Sequence, residues 1–212
     1  MPDSQTAARL ARLEAIHEIG NLQGRYNHYL QTGQIKDRLA DLFAFDTPGV
    51  SAEMADSGEW RGRDGVMQLF RHLGTKYAMP GALMVHLLTT PVIEIMPDGE
   101  TAKGMWNSFG ANSFLNHENK LEAMWQLGKY DISFVRQRGQ WRYLVFKWFV
   151  IFRTPYQDGW VKTPIVEGLH EASFPPPSPL HTPYDPQASR NHFPPFPPEP
   201  IPQTSKETTH GL

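Results

Sequence analysis

Leu10, Leu13, Ile16, Ile19, Leu22, Tyr26 and then Tyr29 or Leu30 recur at the three-to-four spacing of one long amphipathic helix. Gly20 and Gly24 weaken that helix locally, and Gly33 is placed to end it. A second, short helix fits Ile35 to Phe43, and Phe45-Asp46 leads into a short strand near Val50 to Met54. Val66, Leu69, Phe70 and Leu73 share one face of a third helix from Asp64 to Leu73. The pattern then changes period. Leu83–Ile95, Thr101–Phe114, Lys120–Gln137 and Trp141–Arg153 are rich in β-branched and aromatic residues. Turn signals at Pro97-Asp98-Gly99, Asn116-His117-Glu118-Asn119 and Arg138-Gly139-Gln140 separate them. Three successive hairpins predict an antiparallel meander, and helices followed by a long sheet give an α+β fold.

Beyond Thr154 neither period survives. Of the 19 prolines, 14 lie between Pro155 and Pro202, and runs such as Phe193-Pro194-Pro195-Phe196-Pro197-Pro198 are polyproline-like. Trp160, Ile165, Val166, Leu169, Phe174, Tyr184, Phe193 and Phe196 argue against an idle tail. They predict an extended arm, residues 155–212, packing on its own domain or on a neighbouring subunit, with fraying after about Gln203. Residues 1–154 form the folded unit.

Charge and composition narrow the chemistry. Lysine plus arginine number 20 against 22 acidic residues, a net charge of −2, so no basic face for nucleic acid is implied. With no cysteine there is no disulfide, thiolate nucleophile or cysteine-based metal site. No run of about 18 apolar residues spans a membrane, and the polar start lacks a signal-peptide core. The expectation is a soluble, cytoplasmic protein. No histidine and carboxylate spacing suggests a metal, no glycine-rich loop follows a strand, and no Ser/His/Asp triad can be assembled. Neither a metal nor a cofactor is expected.

One residue is hard to explain as structure. Lys147 is the single charge in Tyr143–Phe152, a strand apolar on both faces. Either it snorkels at a rim, or it points into a polar pocket where it could stabilise a developing alkoxide or phenolate.

Several motifs, taken in order, carry a resemblance. They are Arg25-Tyr26, Phe43-Ala44-Phe45-Asp46, Gly58-Glu59-Trp60-Arg61-Gly62-Arg63, His86-Leu87-Leu88-Thr89-Thr90-Pro91-Val92-Ile93-Glu94-Ile95, Gly99 to Trp106, Trp125, Gly128-Lys129-Tyr130, Phe134 and Gly139-Gln140-Trp141-Arg142. From about Ala8 to Trp160 the chain resembles SnoaL-like proteins of the nuclear transport factor two-like superfamily. The resemblance implies a cone, in which a curved antiparallel sheet wraps the helices and leaves a pocket at its open end. It also implies a strand histidine, here His86, acting as acid or base, and a pocket role for Tyr26; the residues alone would equally fit a satisfied structural histidine and a core tyrosine. Related dehydratases carry an aspartate five positions after that tyrosine, where this chain has Gln31. Tyr29 is an alternative to Tyr26. Asp46 matches a region that supplies the base in ketosteroid isomerases, with a turn aspartate as the other reading.

Strand alternation, in register with the family, places Tyr130, Gln126 and Met124 on one face and Trp106, Ser108 and Asn112 on one face of the preceding strand. Tyr130 would donate a hydrogen bond and Trp106 would stack on an aromatic ligand, with core packing as the other reading of both, and Arg61 and Glu59 would either reach the pocket mouth or face solvent. The candidate catalytic set is therefore His86, Tyr26, Lys147 and Tyr130. The candidate binding set is Trp106, Tyr29, Asn112, Gln31, Asp46 and Arg61.

The chemistry so implied is proton transfer on a small aromatic substrate. A long proline-rich arm after such a domain is similar to that of SnoaL-like diarylpropane lyases of lignin-dimer breakdown. That likeness implies loss of formaldehyde from a diaryl propanediol to give a stilbene. His86 or Tyr26 would protonate the departing hydroxyl, and Lys147 or Tyr130 would balance charge. The rival readings are a dehydratase, isomerase or cyclase on a steroid-like or polyketide ligand, and a non-catalytic binding or oligomerisation subunit. A homodimer or homotrimer with exchanged arms is expected.

Overall fold

The computed structural model describes residues 3–76, 78–115, 118, 120–166, 175–176 and 183–201. The predicted turn at 116–119 lies largely outside them, as do Leu169, Phe174 and the end expected to fray.

Helix α1 runs Ser4–Gln31, opened by the Asp3 carboxylate, which accepts from the Thr6 amide at 2.7 Å, and ended at Thr32 ahead of Gly33 in the left-handed region. The predicted second helix is two pieces, a 3₁₀ turn at Ile35–Asp37 and a single α-helical turn, α2, at Leu39–Leu42. Helix α3, Gly62–Lys76, buries the expected face of Val66, Leu69, Phe70 and Leu73.

The strands are β1 Ser51–Met54, β2 Glu59–Arg61, β3 Leu83–Ile95, β4 Thr101–Leu115, β5 Leu121–Gln137 and β6 Gln140–Pro155. They form one curved, unclosed sheet in the order β2-β1-β6-β5-β4-β3. The long strands β3 to β6 make the predicted antiparallel meander. The sheet as a whole is mixed, because β1 lies parallel to β6, with Ala52 opposite Phe146 and Glu53 opposite Lys147. The unpredicted β2 caps it through antiparallel pairing to β1.

The helices fill the inner face. Tyr26 of α1 and Phe70 of α3 meet Phe43, Tyr143 and Phe146 in a continuous aromatic cluster, with ring centroids 4.8–6.2 Å apart. Tyr143 keeps its buried hydroxyl satisfied by donating to Gln23 Oε1 at 2.8 Å. Helix α1 runs antiparallel to β3. Arg12 binds Glu94 at one end (2.7 Å), and the Asn27 side chain donates to the His86 carbonyl at the other (2.6 Å).

The described part of the arm crosses the outer face. After the short helix α4, Gly159–Lys162, Ile165 bridges Arg153 at the end of β6. Gly58, at φ +74, lies hard against the Pro175 and Pro176 carbonyls, where no Cβ would fit. Further on, the Tyr184 amide donates to Ile151 O on β6 (2.7 Å), Lys129 on β5 donates to the Phe193 carbonyl, and the Ile201 amide donates to Glu94 on β3 (3.4 Å). The strap thus runs across strands from one sheet edge towards the other. Burial lowers the pKa of the Lys129 ammonium beneath it. Among the described residues, no helix is long and apolar enough to cross a membrane.

Candidate active site on the inner face

Three strands bring polar side chains to one row of the inner face, across a glycine on a fourth. His86 on β3 lies opposite Gly110 on β4, Gly110 opposite Gln126 on β5, and Gln126 opposite Arg153 on β6. The row is possible because Gly110 has no Cβ: one would sit 2.7 Å from His86 Cδ2. His86 is 5% exposed and lies nearly parallel to the Trp148 indole, at 10° with centroids 6.2 Å apart. Trp148 leans over Gly128, whose Cβ would come 2.7 Å from the indole ring.

The polar contacts form a chain. Arg153 Nε donates to Gln126 Oε1 (3.2 Å), the Gln126 amide nitrogen lies 3.1 Å from His86 Nε2, and His86 Nδ1 lies 3.3 Å from the Tyr130 hydroxyl. Burial, and then the charge of Arg153, lower the His86 pKa from 6.5 to about 4. The imidazole is therefore neutral at physiological pH. Tyr130, itself buried, packs edge-on against Tyr26 at 5.9 Å.

Around this chain lie buried polar atoms with no partner among the described residues: Trp148 Nε1, Ser108 Oγ and both side-chain polar atoms of Asn112. Ser108 and Asn112 flank Gly110 at alternate positions on β4, on the face that carries His86. Each such group ordinarily costs about 1–3 kcal/mol when left unsatisfied.

The structure thus gathers His86, Tyr130, Tyr26 and Asn112 from the sequence-predicted set. Trp106 is on the same face but packs edge-on to Phe134 (6.2 Å) as core. Tyr29 is half-buried, with the Arg38 guanidinium 5.9 Å over its ring.

Four expected residues lie elsewhere. Lys147 is the main correction. Phe146 and Trp148 on either side of it face inward, so alternation turns Lys147 to the outer face, where it binds buried Glu53 at 3.1 Å. Opposite it on β5 is Asp131, whose carboxyl burial pushes up and the Lys103 and Lys147 charges pull back. Gln31 is exposed at the end of α1, because five helical residues carry it about 140° round from Tyr26. Asp46 is exposed and pairs with Arg138 of the β5–β6 hairpin at 2.7 Å. Arg61 is 80% exposed and pairs with Glu59 on the edge strand.

Sequence reasoning missed Asn27, Trp148 and Arg153. A β-bulge leaves Ile151 extra, so that Val150 faces Gly128 while Phe152 faces Leu127. Simple alternation from Trp148 would put Arg153 outside, and the bulge brings it in. Trp148 was within reach, being in phase with Phe146.

A family model described as the SnoaL-like domain matches residues 11–147. Among solved structures, a putative scytalone dehydratase from Novosphingobium aromaticivorans DSM 12444 is similar at TM-score 0.57 and 17% identity, over 69% of this chain and 90% of that one. A hexachlorocyclohexane dehydrochlorinase, LinA type 2, is similar at TM-score 0.58 and 18% identity, over 77% and 97%. LinA-type3 from Novosphingobium barchaimii LL02 gives TM-score 0.58 and 16% identity, over 69% and 93%. At these identities the likeness is one of fold. No curated protein matches the chain.

Proposed function

We propose, for a chain that belongs to the SnoaL-like domain family, that it is a small-molecule lyase or isomerase working by proton transfer at the His86–Tyr130 pair. The observation that carries this reading is the set of buried atoms beside that pair with no partner among the described residues: Trp148 Nε1, Ser108 Oγ and the Asn112 amide. They offer an indole donor, a hydroxyl and a complete amide to a neutral, oxygen-bearing ligand. The names of the fold neighbours, a dehydratase and dehydrochlorinases, describe eliminations. Such reactions need one proton moved between acid and base within a closed site.

The finer reading is that the substrate is a diaryl propanediol with a phenolic ring. The benzylic hydroxyl takes a proton and leaves as water, while the ring gives up its phenolic proton and becomes a quinone methide. Loss of the proton from the terminal alcohol then breaks the carbon–carbon bond, releases formaldehyde and returns the electron pair to the ring, which regains its phenolic proton. The products are a stilbene, formaldehyde and water, and every group used belongs to the chain or the substrate. Trp148 supplies a parallel aromatic surface next to His86.

The test is to incubate the purified chain with a 1,2-diaryl-propane-1,3-diol and measure formaldehyde and stilbene absorbance, with and without chelator. Release in a one-to-one ratio, insensitive to chelator, is expected. Dehydration without formaldehyde would keep the lyase and remove the finer reading. No turnover, together with no change in tryptophan fluorescence on adding diols or stilbenes, would overturn both.

A further inference from the structure

We propose that Arg153 and Gln126 are positioning residues that lock His86 in its Nδ1–H tautomer, so that Tyr130, and not His86, exchanges the proton with substrate. Tyr130's role in this statement rests on the function proposed above, whereas the tautomer lock stands on geometry alone.

A guanidinium can only donate, so Arg153 Nε at 3.2 Å obliges the Gln126 side chain to present its oxygen there. The amide NH2 is then turned to His86 Nε2, 3.1 Å away. Since that NH2 can only donate, Nε2 must be the unprotonated, accepting nitrogen. A neutral imidazole has one remaining proton, and it is on Nδ1, donated to the Tyr130 oxygen at 3.3 Å. The Asn27 side chain fixes the strand from which His86 projects, by binding its carbonyl at 2.6 Å.

Among the described residues, the titratable and charged groups facing this imidazole are Arg153 from β6, Tyr130 from β5 and, behind Tyr130, Tyr26 from α1. A proton on Nε2 would meet both the Gln126 NH2 and the Arg153 charge. His86 is thus a poor base at neutral pH, and its lone pair is already occupied.

The roles that follow are complementary. Tyr130 gives its hydroxyl proton to the departing oxygen, which leaves as water. The phenolate left behind is held by the His86 Nδ1–H. It then takes the proton that substrate loses, from carbon in a dehydration or from the terminal alcohol in a deformylation, and returns to its starting state. One proton leaves Tyr130 and one comes back, so the cycle balances.

The experiment uses the full chain labelled with ¹⁵N-histidine, with His86 assigned by its absence in His86→Asn. Long-range ¹H–¹⁵N spectra are recorded from about pH 5 to about pH 8. A fixed Nδ1–H tautomer with no titration in that range is expected. An Nε2–H tautomer, or titration near the ordinary value of about 6.5, would overturn the lock. In Gln126→Glu a carboxylate replaces the amide, so His86 is expected to switch to Nε2–H and titrate at higher pH. An unchanged tautomer there would also overturn it.

On any diol that is turned over, Tyr130→Phe is expected to lower kcat about 100-fold or more with little change in KM. Gln126→Glu should reshape the pH profile. A Tyr130→Phe variant near wild-type rate would overturn the assignment of the donor. Failure to find a substrate would count against the proposed function, while the spectra would still decide the lock.

Discussion

His86 predicts an acid sensitivity of folding whose size follows from its environment. Its folded pKa is about 4 against 6.5 when free, a depression caused first by burial and then by Arg153. Above pH 6.5 the imidazole is neutral in both folded and unfolded chains and contributes nothing to the pH dependence. As pH falls through 6.5 the unfolded chain binds a proton that the native state refuses, so stability declines at about 1.4 kcal/mol per pH unit. The decline ends near pH 4, where the native imidazole also protonates. Over the window, 6.5 − 4 gives 2.5 units and about 3 kcal/mol.

The assay is urea unfolding of wild type and His86→Gln at about pH 7, 5.5 and 4. Carboxylates and the other histidines titrate alike in both chains, so the difference between the two isolates His86. Relative to the variant, wild type is expected to lose about 3 kcal/mol across the series. Parallel stability curves would refute the reasoning, because they would mean that His86 is protonated in the native state as readily as in water.

Three further perturbations separate the two faces of the sheet. Gly128→Ala puts a Cβ 2.5 Å from the Phe149 carbonyl oxygen and 2.7 Å from the Trp148 ring. It should cost about 1–3 kcal/mol in thermal or denaturant unfolding, and an unchanged Tm would refute the packing described. Lys147→Met removes the 3.1 Å ion pair to buried Glu53 and should destabilise by about 1–2 kcal/mol, with ligand binding and turnover within about twofold of wild type. A tenfold loss of turnover at unchanged stability would return Lys147 to the pocket. Deleting the chain after Val166 removes the bonds from Tyr184, Phe193 and Ile201 to Ile151, Lys129 and Glu94, and should lower Tm by several degrees. An unchanged Tm would show the strap to be idle.

What the sequence made legible was what local chemistry decides. The bounds of β3 were read correctly because Pro97-Asp98-Gly99 stops the run of apolar residues, and Asp98 does close that turn by accepting from the Glu100 and Thr101 amides at 2.8 and 2.9 Å. The inward faces of β4 and β5 followed from alternation, which correctly grouped Ser108 with Asn112 and Gln126 with Tyr130. What depended on distant partners was hidden. Four residues, Ser51–Met54, carry no sign of which strand they will join, and their parallel pairing with β6 is what provides Lys147 with Glu53. The phase of β6 was hidden too. Its bulge at Ile151 is a matter of register against β5, and it decides whether Arg153 faces solvent or His86.

The glycines of the long strands connect these observations to the chemistry. Gly104, Gly110 and Gly128 are weaknesses in a strand by propensity, yet each has a ring where its Cβ would be: Trp106 over Gly104, His86 over Gly110 and Trp148 over Gly128. Removing three Cβ atoms lets large side chains lie flat along the inner face instead of standing up from it. At the Gly104 end the flattened ring completes an apolar core with Phe134. At Gly110 and Gly128 the flattened rings are an imidazole and an indole, and the polar atoms near them, on Ser108, Asn112 and Trp148, have no group to bind among the described residues. The same packing device therefore makes core at one end of the sheet and the candidate site at the other, and what distinguishes them is the polarity of the side chains that the strands deliver. Gln126 shows how sensitive that outcome is. On the roles proposed above, a carboxylate at that position would give His86 a proton and make it the acid, whereas an amide held by Arg153 keeps it neutral and leaves the exchangeable proton to Tyr130.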